Sequence, residues 1–194
     1  MKGADAVFRL DASDLPWGDY GRILAHGMSM HLGRQNQLIQ LERVGPSIPP
    51  ITFPGAGDIV VTENFRAMLQ VSGLTGFTFR PVIKRHIVEL DWESWDFAAE
   101  EPDHYPESGE PEDYILEGEH SPEASAALGS LSELVLHKGM DVERNGTKVR
   151  LLAETWDGTD FFQAKTTRIN CVSQRARAWL ERNFADYVAF KPLN

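Results

Sequence analysis

The chain has 194 residues, 42% of them hydrophobic, with a mean hydropathy of -0.33 and a formal net charge of -10. This is enough chain to bury a core, and no apolar run approaches the length needed to span a bilayer. A single cysteine, Cys171, excludes an internal disulfide framework and any multi-thiolate zinc site. The opening Met1–Ala6 lacks the apolar core of a signal peptide, so a cytoplasmic protein is expected.

Taken in order, Val7–Asp11 reads as a short strand, and Asp14–Tyr20 as a turn-rich loop carrying two exposed-type aromatics, Trp17 and Tyr20. From Ile23 to Leu32 the pattern is ambiguous, with Gly27 and Gly33 against a long helix. This run holds His26, Met28, Met30 and His31, whose imidazoles and thioethers suit a soft metal such as Cu(I). Methionine is more often a core filler, and no metal is assigned. Leu38–Val44 alternates as a strand. Gly45–Gly57, with four prolines and three glycines, reads as an extended connection into a strand at Asp58–Val61.

At this point the chain begins a phrase that it later repeats. Val61–Leu69 followed by Phe79–Val82 aligns without a gap on Val172–Leu180 followed by Phe190–Leu193. Val61 falls on Val172, Arg66 on Arg177, Ala67 on Ala178, Leu69 on Leu180, Phe79 on Phe190 and Pro81 on Pro192. Such self-similarity reports a repeated supersecondary unit. Thr62 and Ser173 are suited to cap a helix, because a hydroxyl oxygen accepts from a free N–H of the first turn. Phe65, Met68 and Leu69, like Ala176, Trp179 and Leu180, recur at i, i+3, i+4 and form one apolar helix face. Gly73 and Gly76 end the first helix and Asn183 the second, each leading to a short aromatic strand closed by proline. Each unit, 61–82 and 172–193, is therefore cap, helix, turn and strand.

Val82–Trp92 reads as a long strand. From Asp91 to Glu123 there are thirteen acids and no Lys or Arg, which leaves 16 acids against all 19 bases in the rest of the chain. The acidic character therefore lives in one segment, which repels phosphate and argues against nucleic-acid binding. Glu100–Asp113 has no apolar period and three prolines, so it is expected to be loop, with Trp92, Trp95, Phe97, Tyr105 and Tyr114 interleaved in and around it. Ser121-Pro122-Glu123 starts a helix expected to run, broken near Gly129, to about Leu136. Asp141–Leu152 is a hairpin turning at Asn145-Gly146, and Trp156–Phe162 leads through Thr167–Val172 into the second unit. The sum is an α+β fold, mostly antiparallel sheet with helices packed on it, forming one domain over 1–194 with an acidic insertion at about 91–123.

Catalytic signatures are absent from the sequence. It has no Walker-type glycine loop, no Gly-x-Ser-x-Gly elbow and no His-Glu-x-x-His. His104 and His120 flank the acidic loop, but the alternating order of a calcium loop is missing. The expectation is a binding protein without cofactor or metal, not an enzyme.

Gly57–Leu69 with Gly73–Val82 resembles bacterial immunity proteins of polymorphic toxin systems, in particular the double-CXXCG-motif family and the related eleventh immunity-protein type. Trp156, Asp160-Phe161 and Val172-Ser173 through Trp179-Leu180 follow the order of the latter near its C-terminus. The resemblance covers roughly residues 45–82 and 150–194. The paired cysteine motifs are missing, so no metal site is carried over, and no toxin-binding residues are transferred. The resemblance implies a non-enzymatic protein that binds and neutralises a cognate secreted toxin, with no membrane or nucleic-acid partner. Acids with aromatic anchors suit a basic toxin cleft, so Glu100, Glu101, Asp103, Tyr105, Glu110, Glu112 and Asp113 are the expected toxin-binding residues. The rival readings are an enzyme with a cryptic site, such as a hydrolase that reverses a toxin's modification and uses His86 or His31, and an adaptor module unrelated to toxins.

Overall fold

The computed structural model describes residues 6–29, 31–55, 57–99, 109–146 and 148–193. Its elements are β1 (Val7–Ala12), α1 (Asp19–His26), β2 (Arg34–Gln35), β3 (Leu38–Gly45), β4 (Ile51–Gly55), β5 (Asp58–Thr62), α2 (Glu63–Gln70), β6 (Phe77–Pro81) and β7 (Ile83–Glu89). There follow α3 (Asp113–Leu116), α4 (Pro122–Ala127), β8 (Leu131–Asn145), β9 (Lys148–Leu152), β10 (Phe161–Ala164), β11 (Asn170–Ser173), α5 (Gln174–Phe184) and β12 (Val188–Pro192). The fold is α+β and mostly antiparallel, as expected; β3 with β7 and β8 with β10 pair in parallel. Among the described residues no helix is long and apolar enough to cross a membrane.

The chain divides into two compact units, one of Met1–Ser13, Ala67–Phe79 and Leu134–Asn194, the other of Asp14–Arg66 and Arg80–Glu133. In the first, the strands run in the order β12-β1-β11-β10-β8, with β9 paired on β8. Its core gathers Val7, Met140, Phe162 and Cys171, with Trp156 and Ile169 packed against them. In the second unit β4, β5 and the first residues of β8 form antiparallel ladders, and β2-β3-β7 form a small sheet. Ile39, Leu41, Val60 and Leu131 make one core there; Leu24, Met28, Val44, Trp92 and Ile115 make another.

Both repeated units are present as strand, helix, strand. The Thr62 hydroxyl accepts from Phe65 N at 3.4 Å, and the Ser173 hydroxyl accepts from Ala176 N at 3.1 Å. The two units also share a pairing logic. β11 and β12 both flank β1, while β5 and β6 both pair with β8. In each case the middle strand comes from elsewhere in the chain.

Several local expectations are corrected. α2 ends at Gln70, before Gly73, because Ser72 satisfies the Leu69 carbonyl with both its N–H (3.2 Å) and its hydroxyl (2.7 Å). The stretch 45–57 contains β4, because Ile51 and Thr52 are fully buried and pair with β5, while Pro54 falls where the register is broken and no N–H is needed. The helix begun at Ser121 stops at Ala127, and 131–136 is strand. Gly129 takes φ 63° just beyond the helix, and Leu131–Leu134 are buried on both faces, so their apolar run mimics a helical period. In the hairpin, Asn145 pairs with Lys148, so the chain reverses after Asn145 rather than across it. The strand expected over 82–92 ends at Glu89, and Trp92–Ser94 forms a 3-10 turn. α5 runs one residue past Asn183, whose side-chain amide donates to the Trp179 carbonyl at 2.8 Å.

Candidate binding surface

The acidic segment is carried by the second unit. Of its expected site residues, Glu100, Glu101, Asp103 and Tyr105 lie outside the described residues, while Glu110 and Glu112 lie on the turn leading into α3 and Asp113 is its first residue. Both flanks of the segment are tied to one short stretch of chain around α1. The Trp17 indole N–H donates to the Ala99 carbonyl at 2.9 Å, and the Tyr20 hydroxyl donates to the Gly109 carbonyl.

A continuous set of ring contacts backs these tethers. Phe97 stacks on Trp17 with centroids 4.6 Å apart, and Trp95 lies 5.6 Å from Trp17. Trp95 meets Tyr114 edge-on at 5.4 Å, and Tyr114 meets Tyr20 edge-on at 6.0 Å. Such tilted and edge-on pairs add about 0.5–1.5 kcal/mol each beyond the area they bury. The aromatics of the acidic segment were expected as anchors for a partner. The structure instead packs Trp92, Trp95, Phe97 and Tyr114 against their own core, where they position the acids.

The N-terminal flank is fixed further by Arg43, whose side chain is fully buried. Its guanidinium donates to the carbonyls of Val44 (2.8 Å), Ala25 (3.3 Å) and Ser47 (2.9 Å). Among the described residues no carboxylate forms an ion pair with it, and burial pulls its pKa down to about 9. The Ala25 carbonyl belongs to the last turn of α1, where the helix dipole favours a cation. The Ser47 carbonyl also accepts from the Trp92 indole at 2.9 Å, and the Ser47 hydroxyl donates to Asp91 at 2.6 Å. Arg43 thus links the end of α1 to the start of the acidic segment. In the sequence it is one charged residue in an alternating strand, and nothing there marks it.

The C-terminal flank is tied to β7. The Ser121 N–H donates to the Ile87 carbonyl at 2.7 Å, and the Ile87 N–H donates to His120 Nδ1 at 3.0 Å. His86 Nε2 donates to the Gly118 carbonyl at 2.9 Å. Gly118 is required here, since a Cβ would lie 2.4 Å from Val88 Cγ1.

Away from the segment, the buried acids Asp58, Glu133 and Asp160 have arginine partners. Arg34 bridges Asp58 at 2.7 Å and Glu133 at 2.9 Å, Arg80 reaches Glu133 at 3.3 Å, and Arg175 reaches Asp160 at 2.7 Å. Among the described residues, Asp91, Glu93, Asp96, Glu112, Glu117 and Glu119 form no ion pair, and all but Glu112 are exposed. The field of this surface is therefore left for solvent or for a partner.

The other sequence candidates separate. His26 is buried and packs edge-on against Phe53, whereas His31 is half exposed with Nδ1 3.1 Å from Glu42 Oε2. His86 is spent on Gly118, so His31 and His86 have no shared partner among the described residues. No group of three or more His, Cys, Asp or Glu is placed to share a metal ion among the described residues. No protein-family model matches the chain, and no curated protein matches it significantly.

Proposed function

We propose that the protein is an immunity protein, which binds a cognate toxin with a basic active cleft inside the producing cell and neutralises it without catalysis. The observation that carries the reading is the row of unpaired acids on a segment whose two flanks are tethered through Trp17 and Tyr20. Tethering the flanks lowers the ordering cost of binding, and an unneutralised field speeds encounter with a basic partner. The short motifs shared with immunity proteins at 57–82 and 156–180 support the same class.

The test is association with the co-encoded toxin's C-terminal domain, before and after charge reversal at Glu100, Glu101, Asp103, Glu112 and Asp113. Removing rim charges is expected to slow association by about 10-fold or more and to flatten its dependence on salt. Unchanged affinity and salt dependence in the reversed variant would sink the assignment of this surface.

A further inference from the structure

We propose that His26 is an acid-operated latch: its protonation undocks α1 and so releases the tethers that hold the flanks of the acidic segment. The consequence for partner binding rests on the function proposed above, but the latch itself does not.

The His26 imidazole has nowhere to put a second proton. His26 is 4% exposed, and both of its ring nitrogens are buried without a hydrogen-bond partner among the described residues. Its ring meets Phe53 of β4 edge-on, with centroids 5.8 Å apart. α1 packs chiefly on β3 and β4, and its Tyr20 and Leu24 also meet Tyr114, Trp92 and Ile115 of the acidic segment and α3, none of whose carboxylates acts on His26. β4 carries no titratable side chain. β3 offers Arg43, a buried cation, and Glu42, whose carboxylate is engaged by His31. On α1 itself the neighbouring charge is Arg22, again a cation.

An imidazolium at this position would therefore present two donors with no acceptor, in a dry site beside two positive charges. Burial first, then Arg43 and Arg22, hold the group neutral down to about pH 4, against 6.5 when it is free. The sign follows directly. The undocked helix binds the proton more readily, so docking is complete above the free value and weakens as the pH falls towards the docked one. Across that window the undocked-to-docked ratio rises by about 80-fold, towards a limit of about 300-fold between pH values well above 6.5 and well below 4.

Undocking acts on the acidic segment because α1 carries Tyr20 and is preceded by Trp17. These two residues hold Gly109 and Ala99. The contact is also close-fitting at its other end. Gly27 takes φ 68°, and a Cβ there would lie 2.5 Å from Arg43 Cβ, so the helix end cannot shift while it remains docked.

The experiment is amide hydrogen exchange of the full-length chain by mass spectrometry between pH 7 and pH 4.5, with the α5 peptide 174–184 as internal standard at each pH. In the wild type, protection of residues 22–27 relative to α5 is expected to fall by about 50-fold over this range, and the peptide 92–99 should follow it. In His26→Phe the ratio should stay flat. His26→Gln, which is also non-titrating and gives the site a neutral polar group, provides a second check if the phenylalanine variant folds poorly. A flat wild-type profile, or the same fall in either variant, overturns the latch. Opening of 22–27 while 92–99 keeps its protection overturns the coupling to the acidic segment. No partner is needed for any of these readouts, so failure of the toxin-binding test leaves them standing, and the reverse holds too.

Discussion

Replacing Asp160 by alanine tests how the first unit holds its second strand-helix-strand motif. Asp160 is 5% exposed. Its Oδ1 accepts from the Ser173 hydroxyl at 2.8 Å, and its Oδ2 accepts from Thr75 N at 2.9 Å, the Thr75 hydroxyl at 3.1 Å and Arg175 at 2.7 Å. Hydrogen bonds to a charged acceptor contribute about 1.5–3 kcal/mol each. The Arg175 side chain is 63% exposed, so its ion pair is screened and contributes less than about 1 kcal/mol. Counting the buried Ser173 bond and the Thr75 N–H bond at the low end gives a loss of about 3 kcal/mol for Asp160→Ala. For a chain of this size that is a fall of roughly 6–12 °C in Tm. Asp160→Asn retains one carbonyl acceptor and should lose about half as much. Arg175→Ala should stay within about 1 kcal/mol of wild type. Urea and thermal unfolding of the three variants decide the matter. If Arg175→Ala costs as much as Asp160→Ala, the residue acts through its ion pair and the reasoning is wrong.

The two helix caps offer a matched comparison: Ser173→Ala should cost about 1–2 kcal/mol, since its hydroxyl both caps α5 and donates to Asp160, whereas Thr62→Ala, whose cap bond is long, should cost about 0.5 kcal/mol. Equal losses in urea melts would contradict this. Burial pushes the Cys171 thiol up to about 12 from 9.0. At pH 8 its native-state reaction with a disulfide reagent should therefore be about 1,000-fold slower than in urea, and comparable rates would place the thiol at the surface. A variant with the exposed acids Asp91, Glu93, Asp96, Glu117 and Glu119 replaced by their amides should keep the wild-type melting temperature to within a few degrees, because none of them forms an ion pair among the described residues, and a large loss of stability would reveal a structural role instead.

Much of the fold is legible in the sequence because it is written in local chemistry. The hydroxyls of Thr62 and Ser173 cap helices wherever a helix follows, and the i, i+3, i+4 faces of α2 and α5 do not depend on distant partners. The strand 131–136 is not legible in this way. Its residues are buried on both faces by pairing with strands far away in sequence, so the alternation that marks a half-buried strand is erased. The acidic segment is visible from composition alone, and Trp17 and Tyr20 stand out as aromatics in a turn-rich loop.

By itself the sequence determined the α+β class, the repeated strand-helix-strand motif and the gathering of acid into one stretch. These follow from residue type and spacing, which act over a few bonds. Only the tertiary structure decided what the aromatics of that stretch do, that Arg43 and His26 are both buried at the end of α1, and that buried Asp58, Glu133 and Asp160 are neutralised by arginines while the exposed acids of the stretch are not. The physical reason is that desolvation and charge pairing depend on distances between residues remote in the chain, such as Trp17 and Ala99, and no local pattern records them.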